Sequence, residues 1–203
     1  MAVVAAGGAL EPYANSLRGF RDSQILKTSS GKAFMWAFNG WYYSWAPSVA
    51  RAAVGNQMFA DALRVGLVPL FGILYASRYS YLAGASLNPE FGAITAGVVA
   101  AWLIGMVYVA PITYAVGRVL RLRRHLFSHA TPLILWTVGT ALMIGAAFVL
   151  GSFALLALAT ASLTLSMLTL GSIFGARALA CFKPSMIDPA LILSIKPFKQ
   201  EGG

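Results

Sequence analysis

The stretch that decides the fold runs from Ala130 to Ala176, ATPLILWTVGTALMIGAAFVLGSFALLALATASLTLSMLTLGSIFGA, 47 residues without one Asp, Glu, Lys, Arg or His. As a single α-helix it would be roughly 70 Å long, about twice the hydrocarbon thickness of a bilayer. It must therefore fold back, and Gly151-Ser152 near its middle is the place where a helix breaks most cheaply. The division yields two spans, 131–150 and 153–175, each of the length that crosses a membrane. A second charge-free run, Phe91 to Gly117, adds 27 residues and a third span.

Composition agrees. Of the 203 residues, 59% are hydrophobic and only 10% charged, against about 25% charged in an ordinary soluble domain. The expected class is an all-α integral membrane protein. Fifteen Lys and Arg against six Asp and Glu give a net charge of +9. The basic residues fall at span ends and in short loops, where they set orientation and meet anionic headgroups, so nucleic acid is not an expected partner. One cysteine, Cys181, excludes an intramolecular disulfide. Met1 to Leu10 reads as neither signal peptide nor span.

Segment 65–83 is ambiguous. Its uninterrupted apolar part is 13 residues, Val65 to Ser77, with Asp61 and Arg64 before it and Arg78 after. It reads either as a fourth span or as an interfacial helix, and Arg78 could snorkel only near an interface.

Residues 1–64 form a distinct region with six of the fifteen basic residues and three of the six acids. Ala14 to Leu26 predicts an amphipathic helix, with Leu17, Phe20 and Ile25 on one face and Arg18, Arg21 and Asp22 on the other. Arg18, Arg21 and Asp22 are expected to pair and knit the N-terminal helices together. A second helix, Lys32 to Trp45, capped by Ser29 or Ser30, is expected to end before Pro47. It is aromatic nearly all round: Trp36, Trp41, Tyr42, Tyr43 and Trp45 are the expected anchors, at the headgroup zone or on a partner's spans. The plainer reading is an ordinary buried helix.

The loop RVLRLRRHLFSH carries Arg118, Arg121, Arg123 and Arg124, and short loops this basic stay cytoplasmic. Arg177 and Lys183 flank the end of the last span. The expected topology is a multi-pass protein of the plasma membrane with the Arg118–Arg124 loop and the tail 177–203 cytoplasmic. The side on which residues 1–64 lie turns on whether 65–83 spans.

The three clear spans contain no ionisable acid, base or histidine, so a carrier or proton pump is disfavoured. The six carboxylates are scattered, with no acid/base or metal spacing. His125 and His129, the only histidines, would share a helix face and are the only metal candidates, but no third ligand adjoins and three arginines do. No catalytic or cofactor-binding residue emerges. Gly171 and Gly175 form a small-xxx-small pair that lets two helices approach closely. That contact is read equally as one within the bundle and as one with another subunit.

Leu17 to Ala50, LRGFRDSQILKTSSGKAFMWAFNGWYYSWAPSVA, resembles the CFI-box family, small archaeal domains in which a cysteine-led box precedes LRxFRD, a TxxG turn and a YYxxSPxVA block. Leu17, Arg18, Phe20, Arg21 and Asp22 fit the first element, Thr28 and Gly31 the turn, and Tyr42, Tyr43, Pro47, Val49 and Ala50 the last block. Pro69 to Leu74 fit a following PLxGIL element. The cysteine box itself is replaced here by Met1 to Ala6. With FN ahead of WYYS, the chain looks most like versions from ammonia-oxidising archaea. The resemblance implies a non-catalytic accessory subunit of a membrane enzyme complex such as archaeal ammonia monooxygenase. Its partners would be other integral membrane subunits and lipids, and any copper would sit in those partner subunits. The alternative is a small channel for a neutral molecule such as ammonia.

Overall fold

A computed structural model describes residues 11–119 and 130–181. The described residues form helices and short turns, with no strand among them. In chain order these are α1 (Glu11–Ser23), a 3-10 turn (Ile25–Lys27), α2 (Ser29–Gly55), α3 (Gln57–Ala85) and α4 (Pro89–Ile104). A π-helical turn (Gly105–Val109), α5 (Ala110–Val119), α6 (Ala130–Leu150) and α7 (Phe153–Cys181) follow.

Four stretches are long and apolar enough to cross a membrane: Gln57–Ala85, Pro89–Gly117, Thr131–Leu150 and Phe153–Cys181. The ambiguous segment therefore belongs to the span class. Its flanking charges are absorbed locally: Arg64 pairs with Asp61 at 2.6 Å one turn back. Arg78 donates to Ser16 Oγ at 3.3 Å and lies over the Phe20 ring of α1. Helix α3 is capped by Asn56, whose side chain accepts from the Phe59 N–H, so the boundary placed at residue 64 falls inside a continuous helix.

Three expectations about the N-terminal region need correction. The first helix occupies Glu11–Ser23, not Ala14 to Leu26. The second does not stop at Pro47 but runs through it to Gly55. A proline removes one backbone hydrogen bond and crowds the preceding turn, at about 3 kcal/mol. Eighteen residues before it and eight after supply helix enough to carry that cost, and apolar helices often tolerate proline. The cap of α2 is also not Ser29 or Ser30. Thr28, with extended backbone, accepts from the Gly31 N–H at 3.0 Å while donating to the Ile25 carbonyl at 2.8 Å. Thr28→Ala is expected to lower thermal stability in detergent by about 1 kcal/mol, the usual worth of such a cap. A heating curve that does not move would count against it.

The turn at Gly151-Ser152 is realised as expected. Gly151 takes a left-handed φ of 61° to close α6, and the Ser152 carbonyl accepts from the Leu156 N–H to start α7. Packing centres on α7. Ile144 and Ala147 of α6, Ala33 of α2, and Leu156, Ala157, Ala159 and Leu163 of α7 form one buried cluster.

Candidate functional site

Two constructions hold the bundle together. The first is a backbone crossing between the α4–α5 rod and α7. A methyl group added to Gly171 would overlap the Trp102 carbonyl oxygen, and one added to Gly105 would overlap the Leu168 carbonyl oxygen. At Gly175 it would press on Ala110 and Met106. Two helix backbones thus touch with no side chain between them, and the π turn begins at Gly105, where the approach is tightest. One polar bond fastens this crossing, and others tie α3 to the π turn and α6 to α7. Thr113 and Ser172 share a 2.6 Å hydroxyl bond, Tyr108 donates to the Gly66 carbonyl at 2.5 Å, and the Trp136 indole donates to Ser162 at 3.0 Å. Within lipid such bonds contribute about 0.6 kcal/mol each.

The second construction lies at the other end of α4. Glu90 Oε2 accepts from the Ser30 hydroxyl at 2.6 Å and from its N–H at 3.0 Å, and Oε1 accepts from the Ser29 N–H at 2.5 Å. The carboxylate closes the open N–H groups at the start of α2 from 60 residues away, where the helix dipole also favours negative charge. Beside it, Tyr81 donates to Gln24 at 3.1 Å and meets the Phe20 ring edge-on. A cavity of about 350 Å³ opens here, lined by Gln24, Lys27, Thr28, Tyr81, Asn88 and Glu90. Because the hydrogen bonds the Glu90 carboxylate accepts come from Ser29 and Ser30 of α2, its chemistry is that of a clamp rather than of a free base.

The residues singled out by sequence divide sharply. Gly171 and Gly175 are buried in the chain's own crossing, so of the two readings left open the contact within the bundle is realised. Arg21 pairs with its neighbour Asp22 at 2.7 Å, and Arg18 donates to Asn15 at 3.0 Å. All three stay on α1, so they do not knit helices together. The Arg21 hydrogen bond, with Arg18 nearby, holds the Asp22 carboxyl below its ordinary range. The joining of α1 to α3 is done by Ser16, Phe20 and Gln24 with Arg78 and Tyr81 instead.

Trp36, Trp41, Tyr43 and Trp45 stand on the outside of α2, with Trp36, Trp41 and Tyr43 more than 60% exposed. The plainer reading of a buried helix does not hold for this face. Phe38 stacks on Tyr42, which meets Trp45 edge-on, and Trp41 leans on Trp45 at 5.2 Å between ring centres. Trp36 meets the Phe153 ring of α7 edge-on. His125, His129 and Arg121 to Arg124 lie outside the described residues. Among the described residues no group of three His, Cys, Asp or Glu side chains comes together. Glu90 has no partner at catalytic or metal spacing in the sequence, so acid/base pairing does not single it out. Its signal is positional: an acid directly after Asn88-Pro89, where Asn88 caps α4.

Together these features define a multi-pass, all-α membrane protein. Comparison with family models, curated proteins and solved structures returns no match for the chain.

Proposed function

We propose that this chain is a non-catalytic structural subunit of a multi-subunit membrane enzyme complex, and that the complex is the archaeal ammonia monooxygenase. The observation that carries the reading is the contrast between two faces of one bundle. One face is closed backbone to backbone at Gly105 and Gly171. The other presents Trp36, Trp41 and Tyr43 outward on α2, rings able to fill a partner's grooves while their polar tips take its hydrogen bonds. The polar groups resolved between spans are engaged in joining helices, a scaffolding use. Likeness of Leu17 to Ala50 to sequences of ammonia oxidisers supports the choice of complex.

Extraction of native membranes in mild detergent, followed by mass spectrometry of what accompanies the chain, tests this. Larger integral membrane subunits in fixed stoichiometry are the expected companions, and the monooxygenase catalytic subunits among them would bear out the specific assignment. Migration as a lone monomer would overturn the proposal.

A further inference from the structure

We propose that α2 is a fifth membrane crossing, which places residues 11–28 and the Glu90 clamp on the face opposite Cys181. The argument is a triangulation. Helices α3 and α4 pair antiparallel along their length. Gly84 lies against Gly92, Thr95 donates to the Ser80 carbonyl at 3.3 Å, and Tyr108 reaches the Gly66 carbonyl. The start of α3 is therefore at the far end of the bundle from the α3–α4 turn. At 29 residues, α3 is about 43 Å long.

Both ends of α2 are tied to that frame. Its N-terminus is held by Glu90 in the first turn of α4. Its C-terminus is separated from the start of α3 by Asn56 alone. Helix α2 has 27 residues, about 40 Å, which matches the distance it must cover. A helix lying flat on the surface would need both ends at one depth, whereas these sit at opposite ends of α3.

The sequence fits once geometry directs attention to it. Between Lys32 and Arg51 lie 18 residues without a charge, about 27 Å of helix against a hydrocarbon core of about 30 Å. Mean hydropathy passes over them because Trp, Tyr, Asn39, Ser44 and Pro47 score as polar, although the rings bury large apolar area. Charge among the described residues does not choose the orientation: by helix position Arg51, Arg64 and Arg177 fall toward one end of the bundle, and Arg18, Arg21, Lys27, Lys32 and Arg78 toward the other. The orientation follows from the sequence after Arg118, where Arg121, Arg123 and Arg124 make the short loop basic, and such loops stay cytoplasmic.

Cys181, the only cysteine and exposed at the end of α7, serves as one marker. Single-cysteine chains Ser23→Cys, Gln57→Cys and Ser86→Cys, each with Cys181→Ser, supply the others. Each is treated in intact spheroplasts with a membrane-impermeant maleimide and then labelled in detergent to confirm reactivity. Ser23→Cys and Ser86→Cys should be blocked together, while Gln57→Cys and native Cys181 should escape blocking until the membrane is opened. An inverted insertion would exchange the pairs and leave the crossing intact. Blocking of Ser23→Cys and Gln57→Cys from the same face would overturn it.

Discussion

Gly171→Val is expected to cost more than about 3 kcal/mol, beyond the usual range for an over-packed core, because its branched side chain meets main chain rather than a yielding side chain. Even the first carbon added there overlaps the Trp102 carbonyl oxygen. Relief requires α7 to move away from α4 as a body. That movement would open the Thr113–Ser172 hydroxyl bond and withdraw Gly105 from Leu168, so one substitution undoes the whole crossing. Against a total stability of about 5–15 kcal/mol, such a loss is large. Heating in mild detergent followed by size exclusion should show the variant losing its monodisperse peak well below the parent. An unchanged midpoint would mean that the backbones do not touch.

Gly139→Ala supplies the opposite sign. Nothing lies within 4 Å of a methyl group at Gly139, and alanine is favoured over glycine in a helix interior by up to about 1 kcal/mol. That variant should be neutral or slightly stabilised. Both glycines sit in apolar helices, so the difference isolates packing from propensity. Gly105→Ala combined with Gly171→Ala should cost less than the sum of the two changes, since both collide at a single crossing.

The helical membrane class was legible because it rests on one-dimensional quantities: the length of charge-free runs and the glycine between them. The fold-back at Gly151 was readable for the same reason, glycine being the residue that takes positive φ without strain. The extent of α2 was not. Pro47 is a local stop signal, and what overrides it is the packing of the flanking turns, including Ala46 and Ala53, both buried. The pairing of Arg18, Arg21 and Asp22 was recognised as an ion-pair pattern but given the wrong reach. Their spacing permits bonds along one helix as readily as across two, and only coordinates distinguish these. Gly171 and Gly175 announced a close approach without naming the partner, because spacing defines a face and says nothing of what covers it. The Glu90 clamp was least visible of all. Its two halves are 60 residues apart, and each alone looks like an ordinary helix start.

That clamp yields the second large effect. In Glu90→Ala the Ser29 and Ser30 N–H groups and the Ser30 hydroxyl lose their acceptor, with Ser30 buried. Hydrogen bonds to a charged group contribute about 1.5–3 kcal/mol, and a buried donor left unpaired costs a further desolvation penalty of about 1–3 kcal/mol. Glu90→Gln keeps the shape but only one accepting oxygen and no charge for the helix dipole, so it should fall between parent and alanine. The defect should be local before it is global, because only the first turn of α2 depends on it while the α4–α7 crossing is held elsewhere. Hydrogen exchange in detergent is the discriminating measurement. Amides of Gly31 to Phe34 should lose protection in both variants, more in alanine, while those around Gly171 keep theirs. Equal protection at Gly31 to Phe34 in parent and Glu90→Ala would show that α2 holds its start without the carboxylate, and would also remove one of the two ties on which the fifth crossing rests.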